Sequence, residues 1–219
     1  MNKTNMNNDD KDAQIIKVVL LGDTSVGKSS LALRFVSNEF KPYSESTIGA
    51  SFMSKTISMP ESSRKIAFKI WDTAGQEKYA CLAPMYYRGA AAAILVYDIC
   101  KKSSFQTLQK WVEELRCNGP SDIALIVCGN KTDLAEKYRQ VETSTGKIYA
   151  ESIGATFFEA SAKEDWNVES LFHAIGEKVI TASTTEDILE GENGARFNLE
   201  DFPPPAVYSR SSAWLSSFC

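Results

Sequence analysis

The stretch Leu21–Ser30, LGDTSVGKSS, constrains this chain more than any other. Its core, Gly22-Asp23-Thr24-Ser25-Val26-Gly27-Lys28-Ser29, fits the pattern GxxxxGK[ST] without a gap. An apolar run, Ile15–Leu21, precedes it, and a helix-like run, Ser29–Phe35, follows. Glycines at both ends let the backbone turn tightly and approach an anion. The backbone N–H groups of Asp23, Thr24, Ser25, Val26 and Gly27 can then face inward as a nest. Those of Lys28, Ser29 and Ser30 open a helix whose dipole favours negative charge. Lys28 would reach the β- and γ-phosphates of a nucleotide, and the Ser29 hydroxyl would ligate Mg2+. A plain glycine turn with an exposed lysine would account for the eight residues alone; the strand before and the helix after favour the phosphate. The loop itself specifies neither the base nor the purpose.

The rest of the chain supplies a matching scaffold. Apolar runs at Ile15–Leu21, Ala91–Tyr97, Ile123–Cys128 and Thr156–Phe158 read as buried strands. Phe52–Met59 and Lys65–Trp71 alternate on either side of Pro60-Glu61-Ser62-Ser63, as a hairpin does, with Phe52, Lys55 and Ile57 set against Ser54, Thr56 and Ser58. Phe105, Leu108, Trp111, Val112 and Leu115 share one helical face, Val141–Glu151 is helical, and Val168–Val179 forms a final helix. Strands alternate with helices after the hairpin. The expected fold is α/β: three layers, with a mostly parallel six-stranded sheet, one antiparallel strand and helices on both faces. Ligand loops then cluster at the carboxyl ends of the strands.

Three further groups fall on that rim. Asp72 closes the Lys65–Trp71 strand, where a carboxylate can organise Mg2+; Gly75 offers a backbone N–H to a terminal phosphate, and Gln76 can orient a water without being a strong base. Asn130-Lys131-Thr132-Asp133 follows the Ile123–Cys128 strand. Guanine presents an N1–H and an N2 amine on one edge, and one carboxylate accepts from both, which makes Asp133 the specificity residue. Asn130 can tie neighbouring loops, and the Lys131 stem can cover the base. Ser161-Ala162-Lys163 supplies a backbone N–H for the base carbonyl and a second aliphatic cover, while Ser161 can also cap a helix start. Thr47 lies in a long loop, Ser37–Ala50, and its hydroxyl joins Mg2+ only if a γ-phosphate holds that loop in.

Composition excludes more than it specifies. The 219 residues carry a net charge of −4, with the acidic excess at 183–219, so nothing favours nucleic acid as a partner. Five cysteines show no CxxC or metal-like spacing and read as reduced thiols; the one histidine, His173, has no assigned role. No run approaches the length of a membrane span. Residues 1–14, rich in Asn, Asp and Lys, are expected to be a disordered extension. Residues 15–182 form the domain, and 183–219, with Pro203-Pro204-Pro205, a solvated flexible tail.

The order and spacing of GDTSVGKS, TIG at Thr47–Gly49, WDTAGQE, NKTD and SAK resemble the P-loop NTPases of the Ras superfamily, and more narrowly the Rab family of membrane-traffic GTPases. The likeness covers roughly residues 15–180. It implies slow hydrolysis of GTP with Mg2+, bound GTP or GDP, and Lys28 and Gln76 in the chemistry. It places Phe40 edge-on to guanine and makes Thr47 the threonine of the first switch segment. Phe52, Trp71 and Tyr86, with Ile48, resemble the surface that effectors read. It implies as partners an activating protein, an exchange factor, a dissociation inhibitor or escort protein, effectors, and a membrane reached through a prenyl group on Cys219, in an otherwise monomeric chain. Segments 45–52 and 82–90 look most like the early-endosomal branch, which implies the cytosolic face of endosomal membranes.

Two departures stand out. Rab chains usually end in paired cysteines or a CaaX-like box, and this one ends in a single cysteine on an acidic tail. Thr24 puts a hydroxyl beside the γ-phosphate position, where a small residue is usual. Three other readings compete: a Rab of another compartment, a GTP-binding module with negligible hydrolysis, and a metabolic P-loop enzyme. Intact Gln76 and Thr47 oppose the second. The third needs a second substrate site, of which residues 75–130 give no sign.

Overall fold

The computed structural model describes residues 13–59, 64–75 and 83–189, without the side chains of 83–84 and 182–189. The expectations for residues 1–12, Gln76, Cys219 and the tail beyond 189 lie outside the described residues.

Six strands, β1 (Gln14–Leu21), β2 (Ala50–Ser58), β3 (Lys65–Thr73), β4 (Ala92–Asp98), β5 (Ala124–Asn130) and β6 (Thr156–Ala160), form one sheet in the order β2-β3-β1-β4-β5-β6. Among the strand pairs of this sheet in the described residues, only β2–β3 is antiparallel. This is the P-loop NTPase fold: a mostly parallel six-stranded sheet flanked by helices. The chain leaves β1 towards β3 and later returns past it to β4, so the loop after β1 opens at the divide where ligands bind in such sheets.

Burial on both faces explains the apolar runs. Ile16, Val18 and Leu20 of β1 face a core shared with α1 (Lys28–Ser37) and α7 (Val168–Leu189). There Phe35 stacks on Phe172 at 3.8 Å between ring centroids, and Phe68 meets both edge-on. Val19 and Leu21 face the opposite core, with Tyr97, Leu108, Val112 and Leu115. Lys17, the polar interruption in β1, falls on that second side. Its Nζ donates to the Arg88 carbonyl at 2.6 Å and lies 5.1 Å from the centroid of the Trp71 ring.

Four local expectations are corrected. Phe52 does not share a face with Lys55 and Ile57: an odd spacing puts it on the outer face with Ser54 and Thr56, while Met53, Lys55 and Ile57 turn inward. Lys55 is tolerated inside because its Nζ reaches the Phe35 carbonyl and lies 4.6 Å from the Phe35 ring centroid. The helix expected around residues 105–115 is two, α3 (Lys102–Gln106) and α4 (Leu108–Asn118), because the chain tightens at Thr107, whose N–H is shared between the carbonyls of Ser103 and Phe105. Val141 lies outside helix α6 (Thr143–Ser152), since its N–H and that of Gln140 both donate to Ile99 O. Asp72 sits within β3, opposite Ser51, and not after the strand. The described residues also hold the short helices α2 (Ala83–Tyr87) and α5 (Ala135–Tyr138) and a 3-10 turn at Thr132–Leu134, and α7 runs on to Leu189.

Candidate functional site

At the carboxyl end of β1 the chain turns through Gly22 and Gly27. Both have positive φ (+145° and +95°), and a Cβ on Gly22 would stand 2.1 Å from the Val96 carbonyl oxygen. Within that turn Lys28 arches back, and its Nζ donates to the carbonyls of Gly22 at 2.9 Å and Asp23 at 2.8 Å. Burial pushes the Lys28 ammonium down to about 8, against the opposing pull of the Asp72 and Asp23 carboxylates. A buried ammonium held on carbonyl oxygens is poised for an anion that would stabilise its charge.

One step away, three oxygen-bearing side chains from distant segments converge. Ser29 Oγ lies 2.8 Å from Thr47 Oγ1, and the Thr47 hydroxyl donates to Asp72 Oδ2 at 3.3 Å. Asp72 is 1% exposed, and its Oδ1 is buried with no hydrogen-bond partner. Burial raises its pKa, opposed by hydrogen bonds from Ser29, Thr47 and Ser51 and by the Lys28 charge. An orphaned carboxylate oxygen beside two hydroxyls is a hard-oxygen set that fits Mg2+. Gly75 closes this end: a Cβ there would lie 2.4 Å from the backbone of Asp23 and Thr24.

The other end is tied by a second set. Asn130 Nδ2 donates to Val26 O at 2.9 Å, and the Ala162 N–H donates to Asn130 Oδ1 at 3.3 Å. Ser161 Oγ donates to Asp133 Oδ1 at 2.7 Å and accepts the Glu164 N–H. Lys131, with φ +72°, donates to Ser25 O at 2.8 Å and pairs with Asp98 at 2.7 Å, which lays its stem along the site. Lys163 stands 3.8 Å from Asp133.

Between the two ends lies a cleft of about 630 Å3. Thr24, Ser25, Gly27, Lys28, Ser29 and Ser30 line it at the loop, Phe40, Thr47 and Gly75 at the wall, and Asn130, Lys131, Asp133, Ala162 and Lys163 at the far end. Four expected residues sit just behind the lining. Val26 is in the core, Asp23 and Ser161 act through the bonds above, and Asp72 lies beneath Thr47. Asp23 also pairs with Lys101 at 3.0 Å.

The Ras family sequence profile matches residues 17–181. The chain is 52% identical over 180 residues to Ras-related protein Rab-5A of Dictyostelium discoideum, a match covering 82% of this chain and 88% of that one. It is 51% identical over 179 residues to Ras-related protein Rab-31 of Homo sapiens (82% and 89%), and 48% identical over 189 residues to human Ras-related protein Rab-22A (86% and 95%). The chain belongs to the Ras family. It is a Rab-like small GTPase, and these relatives are divided among Rab-5, Rab-22 and Rab-31 proteins.

On the outer surface of this Rab-like chain, Phe52, Trp71 and Tyr86 form a continuous row. Phe52 meets Trp71 edge-on at 5.7 Å, and Trp71 meets Tyr86 at 5.8 Å. Ile48 projects nearby, 80% exposed. Residues 41–46 and Leu134 also line the cleft, and Asp98 anchors Lys131; no motif marks them. Asp98 carries one local signal, a carboxylate ending an apolar strand on the ligand rim. No motif marks one further ion pair: Arg139 grips Glu159 with two bonds, 2.6 and 3.0 Å, just before Ser161.

Proposed function

We propose that this chain binds GTP and GDP with Mg2+ and hydrolyses GTP slowly, as a switch in endocytic and endosomal vesicle traffic. Residues 15–182 are the working domain in this reading, and 1–14 and 183–219 its extensions. The observation that carries it is the meeting of Ser29, Thr47 and Asp72. A hydroxyl from a loop eighteen residues downstream is folded onto the phosphate loop and onto an unsatisfied buried carboxylate.

In that arrangement Lys28 and the loop N–H groups bind the phosphates and favour charge on the β–γ bridge. Mg2+, held through Ser29 and Thr47 and with Asp72 behind them, would supply a second positive charge at the phosphate oxygens. Thr47 makes the shape of residues 39–52 depend on what occupies the cleft. Gln76 orients the attacking water, and GTP plus water give GDP and phosphate. Asp133 reads the N1–H and N2 edge of guanine, Phe40 packs on the base, and Asn130, Lys131 and residues 161–163 enclose it.

The output of the switch is the surface of Ile48, Phe52, Trp71 and Tyr86, read by effectors. An activator, an exchange factor and a dissociation inhibitor or escort protein act on the same segments. A prenyl group on Cys219, reinforced by a partner or a second modification, holds the protein at endosomal membranes. Likeness of segments 45–52 and 82–90 to the early-endosomal branch supports that compartment.

Phosphate release from GTP-loaded protein tests the timer. Wild type should turn over slowly and accelerate with a matching activator, and Gln76→Leu should not. Equal, slow rates in both with activator present would sink the mechanism. Asp133→Asn should lose its preference for GTP over ATP. Cys219→Ser should leave membranes, and unchanged recruitment would count against prenylation.

A further inference from the structure

Arg34 lies on α1, outside every motif of the nucleotide loop, and makes four hydrogen bonds. Its Nε donates to Ala162 O at 2.9 Å and Nη2 to Lys163 O at 3.0 Å. Its Nη1 donates to Asn38 O at 2.8 Å and to Asn38 Oδ1 at 3.0 Å. None of the four acceptors is a carboxylate. The planar fork is therefore engaged in holding backbone, with its donors set at fixed angles to two separate segments.

Those segments have opposite duties. Residues 161–163 close the far end of the cleft, and the Ala162 N–H faces Asn130 Oδ1. Asn38 ends α1 in a left-handed conformation (φ +57°), with its N–H on Arg34 O, and starts the loop that leads to Thr47. An unbroken hydrogen-bonded series thus runs from Val26 O through Asn130, Ala162 and Arg34 to Asn38.

We infer that Arg34 is a positioning residue for base recognition: it fixes the carbonyls of Ala162 and Lys163, and so the N–H groups of that loop, against the root of the 39–49 segment. The inference rests on the guanine reading above. The chemical feature it serves is the base carbonyl, which a loop N–H meets, as distinct from the N1–H and N2 amine that Asp133 meets. The 3.3 Å contact of the Ala162 N–H with Asn130 is long enough to be shared with such a carbonyl.

The test compares release rates of four nucleotides from full-length protein: GDP, ADP, inosine diphosphate (which lacks the N2 amine), and 6-thioguanosine diphosphate (which keeps N1–H and N2 but has a weakly accepting sulfur in place of the carbonyl oxygen). In Arg34→Gln the preference for GDP over the sulfur analogue should fall about tenfold, while its preference over inosine diphosphate stays as in wild type. Arg34→Lys keeps the charge but cannot reach both segments, and should show the same fall at about threefold. It decides the matter if Arg34→Gln does not fold. Asn38→Gly keeps the left-handed backbone and removes Oδ1; a fall of about twofold supports the link to the 39–49 segment, and an unchanged ratio overturns that link. An unchanged carbonyl preference in Arg34→Lys, or an equal loss of both preferences in Arg34→Gln, overturns the positioning role. A wild type that does not prefer GDP to ADP overturns the guanine reading itself, before any variant is made.

Discussion

Gly27 shows how little room the site leaves at single atoms. Its φ of +95° is one that side chains resist, and a Cβ would stand 2.3 Å from Asn130 Nδ2. Gly27→Ala must therefore strain the turn and push away the side chain that ties the 22–28 loop to residues 161–163. Titration with GDP should show affinity weakened about 10- to 100-fold, the equivalent of 1–3 kcal/mol. Lys17 offers a second residue-scale test. Burial and the neighbouring Arg88 push its ammonium down to about 8 from the usual 10.5. Between those values the unfolded chain binds more protons at this group, so its contribution to stability rises with pH. Burial of Cys128, which pushes its thiol up to about 12, has the opposite sign and cancels in a comparison of variants. Denaturant midpoints should show wild type gaining on Lys17→Met from pH 8 to pH 10, and a constant difference would refute the assignment.

At the scale of elements, the stack of Phe35 on Phe172 joins α1 to α7, and Phe68 seals both against β3. Because α1 begins at Lys28, this packing also sets the direction of the phosphate loop. Phe172→Ala should cost about 3–5 kcal/mol, seen as a melting midpoint lower by roughly 10 °C. The nucleotide-bound form should keep its base preference, since no ring of the stack reaches the cleft. Elements were legible wherever periodicity was clean. The parallel strands and the face of α7 needed only burial on two sides or one. The face of Phe52 is not legible because polar residues lie on both sides of β2, and the side chain that decides the pattern, Lys55, is inward only because Phe35 is there to receive it. The tightening at Thr107 and the start of α6 at Thr143 depend on hydrogen bonds to residues that periodicity does not see.

For the whole molecule, the site is a junction of loops that follow β1, β3, β5 and β6, with the 38–49 segment laid across them. A ligand reaching both ends of the cleft should stabilise the fold by about 4 kcal/mol at a thousandfold excess over Kd. Removing Mg2+ with a chelator should leave the Asp72 carboxylate with only the Lys28 charge to offset it, speed GDP release by about tenfold or more, and lower the melting midpoint. Release unaffected by chelation would contradict the proposed metal position. The sequence alone determined the fold class and the chemistry available at the rim, because a glycine loop between strand and helix, an NKxD and an SAK are local patterns with local physical meaning. Only the tertiary structure decided that Thr47 meets Ser29 and Asp72, that Asp98 holds Lys131, and that Arg34 binds the carbonyls of residues more than a hundred positions away. Those contacts depend on which strands lie side by side, a property of sheet order that no short stretch of residues encodes.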